Sequence, residues 1–164
     1  MNADSPIGAE ATPKVIGTVE ALIEYIELTG LRAFEISGKR SDKTPDDGPQ
    51  DAPGSDTEPS GNISMQIMES HGPDFIETRF RVNVEGSGGD YIADFGLHYS
   101  FSEPLQLEQA AIEGLLSRVA VMSAWPFIRE AVATTAARME LEVPVLGLVK
   151  QGQFEVSRVD SLDD

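Results

Sequence analysis

"FIETRFRVNVEGSGGDYIADFGLHYSF", residues 75–101, decides the fold. In its first half Ile76, Thr78, Phe80, Val82 and Val84 alternate with Glu77, Arg79, Arg81, Asn83 and Glu85. In its second half Tyr91, Ala93, Phe95, Leu97, Tyr99 and Phe101 share one face, opposite Asp94 and His98. Successive strand side chains point to opposite sides, so this alternation predicts two strands, each buried on one side only. The intervening "GSGGD" supplies the residues of a hairpin turn. The sheet is therefore expected to be antiparallel, with one apolar and one polar face.

Upstream, "ISMQIMES" (63–70) alternates more weakly and predicts a third strand. A fourth is expected over about 18–37, "TVEALIEYIELTGLRAFEIS". Helix and strand compete at its start, because Leu22, Ile23 and Ile26 fit a helical stripe. Phe34 and Ile36 flank Glu35 farther on, and the whole reads as one long strand, bulged near Gly30. Between these two strands lies "GKRSDKTPDDGPQDAPGSDTEPSG", residues 38–61, with four prolines, four glycines and six acids. Such a composition cannot offset its ordering entropy by burial, which predicts a long mobile acidic loop. Residues 1–15 and 158–164 read as terminal tails.

Downstream the period changes. In "LEQAAIEGLLSRVAVM" (107–122), Ile112, Leu115, Leu116, Val119 and Met122 fall on one helical side. Pro126 stands where a helix can begin or kink. Beyond it Ile128, Ala131, Val132, Thr135 and Met139 form a second stripe, and Pro144 is expected to stop the helix. Strands first and helices afterwards define an α+β fold: a four-stranded antiparallel sheet with helices on one face, in a single domain spanning 1–164.

The chain carries 28 acidic and 12 basic residues, a net charge of −16. That field repels nucleic-acid phosphates and anionic membrane surfaces, and it favours solubility and basic or unfolded partners. Cysteine is absent, which removes disulfides, thiolate metal sites and cysteine nucleophiles. The first residues, "MNADSPIGAEATPK", lack the basic and apolar regions of a signal peptide, and no apolar run is long enough for a membrane span. A cytoplasmic protein is expected.

Catalytic constellations are missing from the pattern. His71 beside a Gly-Pro turn and His98 on a polar strand face do not make the three or four ligands of a zinc site. Acidic pairs such as Asp46–Asp47 lie in the loop, where no catalytic geometry can be held. No metal, no cofactor and no enzymatic activity are expected. Met65, Met68, Met122 and Met139, with Trp125, Phe127 and Phe154, form either ordinary core or an adaptable binding surface.

The segments "LRAFE" (31–35), "FRVNV" (80–84), "YIADF" (91–95), "AIEG" (111–114), "PFIRE" (126–130) and "VPVLGL" (143–148) occur in that order. Together they resemble the SecB family of export chaperones, including the SecB-like proteins attached to toxin–antitoxin systems. The resemblance implies a homotetramer, a dimer of dimers, that holds unfolded client proteins in apolar grooves without ATP or cofactor. It implies delivery of preproteins to the Sec translocase motor SecA, through a polar sheet face on which Glu35, Ile92 and Asp94 match the docking pattern. The fourth docking position, acidic in the family, is Leu31 here. Residues 38–61 lack the apolar side chains of the family's crossover loop, and the C-terminal helix is short or missing. The client contacts implied are Ile63, Met65, Trp125, Phe127, Val145, Leu146 and Phe154. Besides export, two other readings are carried forward: a chaperone dedicated to the antitoxin of a toxin–antitoxin system, and an acidic inhibitor that mimics nucleic acid.

Overall fold

A computed structural model describes residues 12–41, 62–86 and 88–147 of the chain. Its elements run β1 (Lys14–Ile16), α1 (Val19–Leu22), β2 (Ile26–Arg40), β3 (Asn62–His71), β4 (Phe75–Gly86), β5 (Gly89–Phe101) and β6 (Leu105–Leu107). One long helix, Gln109–Arg138, follows. Strands β2 to β5 form the expected antiparallel sheet in the order β2-β5-β4-β3. The alternating residues of β4 and β5 behave as their pattern dictates: Ile76, Thr78, Phe80, Val82, Val84, Tyr91, Ala93, Phe95, Leu97 and Tyr99 are all buried. In the hairpin turn Gly88 takes φ 77°, a left-handed conformation that glycine adopts without a side-chain penalty.

β2 is bulged twice, between Leu28 and Gly30 and between Ala33 and Glu35, so Thr29 and Phe34 have no register partner on β5. The first bulge lies where the sequence places it. The start of this segment is helical rather than extended. Thr18 caps α1 by accepting a hydrogen bond from the Ala21 N–H at 3.3 Å, and Val19 and Leu22 bury its inner side. Two expected boundaries also move. Lys14 and Val15, read as tail, pair together with Ile16 in parallel with Leu105–Leu107, and Gly38–Arg40, read as loop, complete β2. Residues 42–61 of the expected loop, the tail at 158–164 and Phe154 lie outside the described residues.

In place of two helices meeting at Pro126 there is one. Val121, Ala124, Trp125, Ile128, Ala131 and Val132 bury a continuous stripe across β5, reaching β2 and β4. That burial carries the helix through a position where the missing N–H and the proline ring would otherwise interrupt it. The helix would suit a membrane span by length and composition alone, but this stripe is committed to the sheet. Leu115–Ala120 form a wide π-helical turn, in which the Val121 N–H bonds back to the Leu116 carbonyl. The extra residue moves the buried stripe by one position. Ala120 and Val121 become the fully buried positions, Val119 packs only partly against the core, and Met122 is left 50% exposed.

Glu140, at φ 54°, turns the chain out of the helix, two residues beyond Arg138 and before Pro144 is reached. Residues 141–147 then return along the helix as a strap, burying Pro144 and Leu146. At the other end, Gly114 lies against α1, and a Cβ added there would stand 2.8 Å from the Val19 Cβ. Gly114→Ala should gain roughly 1 kcal/mol of helix propensity and lose about 1–3 kcal/mol to overpacking against a branched side chain. The expected outcome is a net loss of about 1 kcal/mol, read as a lower urea midpoint at unchanged m-value.

Candidate functional site

The face of the sheet away from the helix carries its charges in cross-strand rows. One row runs Glu35, Asp94, Arg81 and Gln66, from β2 to β3. Two carboxylates placed directly opposite each other repel unless cations intervene. Here both are matched. Arg79 grips Asp94 with two hydrogen bonds, Nε at 2.8 Å and Nη2 at 2.9 Å, while Arg81 Nη1 donates to it at 3.0 Å. Arg81 Nη2 also reaches Glu35 at 2.7 Å, and the Ser37 hydroxyl donates to the same Glu35 carboxylate at 2.9 Å. The hydrogen bond from Ser37 and that from Arg81 hold the Glu35 carboxyl below its ordinary range. Asp94 is fully buried under the two guanidinium groups.

The next row is Arg32, Gly96, Arg79 and Met68, followed by Gly30, His98, Glu77 and Ser70. Glycines at 30 and 96 leave the sheet bare of side chains, and a groove of about 590 Å³ lies over them. The second bulge turns Phe34 onto this face, where its ring covers Gly96 so closely that an added Cβ would meet it at 2.7 Å. Arg79 stands over that ring at 4.0 Å from the centroid, and Arg32 at 6.0 Å. Phe34 nonetheless remains 49% exposed. On the opposite wall His98 stacks on Phe75 at 5.6 Å and hydrogen-bonds Glu77 at 2.9 Å.

The helix side presents a second apolar area. Leu28, Leu31 and Ile36 of β2 pair with buried Tyr99, Leu97 and Ala93 but are themselves exposed, as are Met122 and Phe127 on the long helix. Phe127 also contacts the Phe95 ring at a centroid distance of 6.4 Å.

The positions matched to SecA docking thus come together in part. Glu35 and Asp94 are direct cross-strand partners, and Ile92 is two residues along β5, half-buried. Leu31 belongs to the other face, paired with Leu97. The client contacts implied by resemblance are not brought into one groove. Among the described residues of that set, Met65, Trp125 and Leu146 are core, Ile63 is half-buried, and Phe127 and Val145 are exposed. The Trp125 indole donates to the Gly147 carbonyl at 3.0 Å, tying strap to helix. Phe34, Leu28 and Ile36 were not singled out from the sequence as surface residues. The two bulges hide them, because they break the period-two signal that assigns a face.

A four-stranded antiparallel sheet backed on one face by a long helix is the SecB-like fold. The comparisons agree. The chain is homologous to the SecB-like chaperone SmegB of Mycolicibacterium smegmatis, at 29% identity over 147 residues covering 89% of this chain and 91% of that protein. In fold it matches the SecB-like chaperone Rv1957 of Mycobacterium tuberculosis, solved in complex with a ChAD peptide from the Rv1956 HigA1 antitoxin. That match has a TM-score of 0.62 and 10% identity, over 80% of this chain and 93% of the other. No family model matches. The chain is thus similar to SecB-like chaperones in sequence and in fold.

Proposed function

We propose that this chaperone works in the cytoplasm on a dedicated client, a labile antitoxin-type polypeptide, rather than on the many preproteins of general export. The observation that carries the reading is the ion-pair network on the outer face. A motor that recognises an acidic patch needs carboxylates free to pair with it, and here Asp94 is buried while Glu35 already holds Arg81. Two acids and two guanidinium groups cancel, so this part of the face offers no net charge for steering. The same cancellation weighs against mimicry of nucleic acid, which needs unmatched carboxylates in rows. Export through SecA is the second reading, supported by Glu35 and Ile92 on the expected face.

Client holding goes with self-association. The exposed strip of Leu28, Leu31 and Ile36 lies along a sheet edge beside exposed Met122 and Phe127, an arrangement suited to burial against a second copy in a homotetramer. Light scattering of the purified protein should therefore give four times 17.7 kDa. At equimolar tetramer the protein should suppress aggregation of a co-expressed antitoxin-type client and leave a panel of unfolded preproteins less protected. Equal protection of the whole panel, together with tight binding to purified SecA, would reverse the ranking of the two readings. No suppression of any client would remove both.

A further inference from the structure

From the outer-face groove we infer that it is a client subsite, taking an extended segment that sets an aromatic or large aliphatic side chain against Phe34 and a carboxylate against Arg32. This deepens the chaperone reading and rests on it. Three observations converge.

The first is the unmatched charge. Among the outer-face side chains lining the groove, Arg79 is held by Asp94 and Glu77 by His98, whereas Arg32 has no ion-pair partner among the described residues. A guanidinium standing over an aromatic ring at the mouth of an apolar depression is ready for a carboxylate beside an apolar group.

The second is the ring itself. Phe34 is displayed on a face that is largely polar, and it is fixed there by Gly96 beneath and by Arg79, whose own position is set by buried Asp94. A rigid aromatic anchor loses little entropy on contact, which is how a few residues come to dominate binding. Met68, in register with Arg79 across β4 and β3, extends the apolar floor with a pliable side chain.

The third is reach. From Arg32 on β2 to Met68 on β3 the row crosses three strand spacings, about 14 Å, or roughly four residues of extended chain. The groove also faces away from the helix, so association through Met122 and Phe127 leaves it open.

Two labelled ten-residue peptides test this in fluorescence anisotropy with the full-length protein. Both carry a central Trp, followed in one by Asp and in the other by Lys. Wild-type protein should prefer the Asp peptide. Arg32→Glu should weaken that peptide roughly tenfold, an effect of about 1.4 kcal/mol, and reverse the preference toward the Lys peptide. Phe34→Ala should weaken both. Because Arg32 is exposed and has no ion pair among the described residues, its replacement should change the melting temperature little, which keeps the result interpretable if Phe34→Ala unfolds. Failure of wild type to bind either peptide, or equal loss of both in Arg32→Glu, would overturn the inference. Where wild type and Arg32→Glu protect the dedicated client equally from aggregation, the groove falls and the chaperone reading stands. Where wild type protects no client, the chaperone reading falls as well.

Discussion

Trp125→Ala is expected to destabilise the fold by about 4 kcal/mol, the usual range for emptying a large aromatic site in a core. Only 5% of Trp125 is exposed, and it sits at the centre of the helix stripe that covers the sheet. The indole N–H is also the hydrogen bond that holds the strap at Gly147. Two losses therefore coincide, and they can be separated. Trp125→Phe keeps most of the apolar volume and deletes the donor, so about 1–2 kcal/mol should go, through the lost hydrogen bond and the smaller ring. Chemical denaturation measures both variants. Limited proteolysis between 141 and 147 reports the strap: faster cleavage in Trp125→Phe at near-normal stability is the expected result. Protection equal to wild type would show that Pro144 and Leu146 hold the strap alone.

Asp94→Ala should cost about 3 kcal/mol, at the lower end for breaking a buried ion pair. Its carboxylate is inaccessible to water and accepts three hydrogen bonds from two arginines. Removal leaves Arg79 without a counter-charge and Arg81 with Glu35 alone. The two arginine side chains are 28% and 30% exposed, so both recover part of their hydration, which keeps the loss below that of a fully enclosed pair. Arg79 also anchors the Phe34 ring, so the same variant should loosen the groove. Thermal unfolding measures the first effect and Trp-Asp peptide affinity the second. A variant as stable as wild type would mean that the arginines relax fully into water.

The sheet was legible because β4 and β5 are regular: two faces, period two, and a glycine turn between them. Less legible were the features made by departures from regularity. The bulges of β2 turn Phe34 outward and put Leu31 on the side opposite Glu35, so a pattern matched position by position along 31–35 spans both faces. One inserted residue at Leu115–Ala120 changes which helix residues are buried, and the ideal spacing that assigns Met122 to the core fails there. The burial of Trp125 and Leu146, which the family resemblance places among client contacts, was not legible either, because it depends on the strap returning along the helix. The charges on the outer face were visible as residues but not as a network, since Arg79, Arg81, Asp94 and Glu35 meet only through pairing across three strands.

The π-helical turn has a consequence for changes in chain length. Dropping one residue between Leu116 and Val121 would turn their five-residue step into the four-residue step of ordinary winding. Trp125 and Ile128 would keep their places in the buried stripe. A residue removed beyond Val121 meets no such slack and would rotate all later positions by about 100°. The wide turn therefore lets this helix absorb a one-residue shortening without reassigning its core.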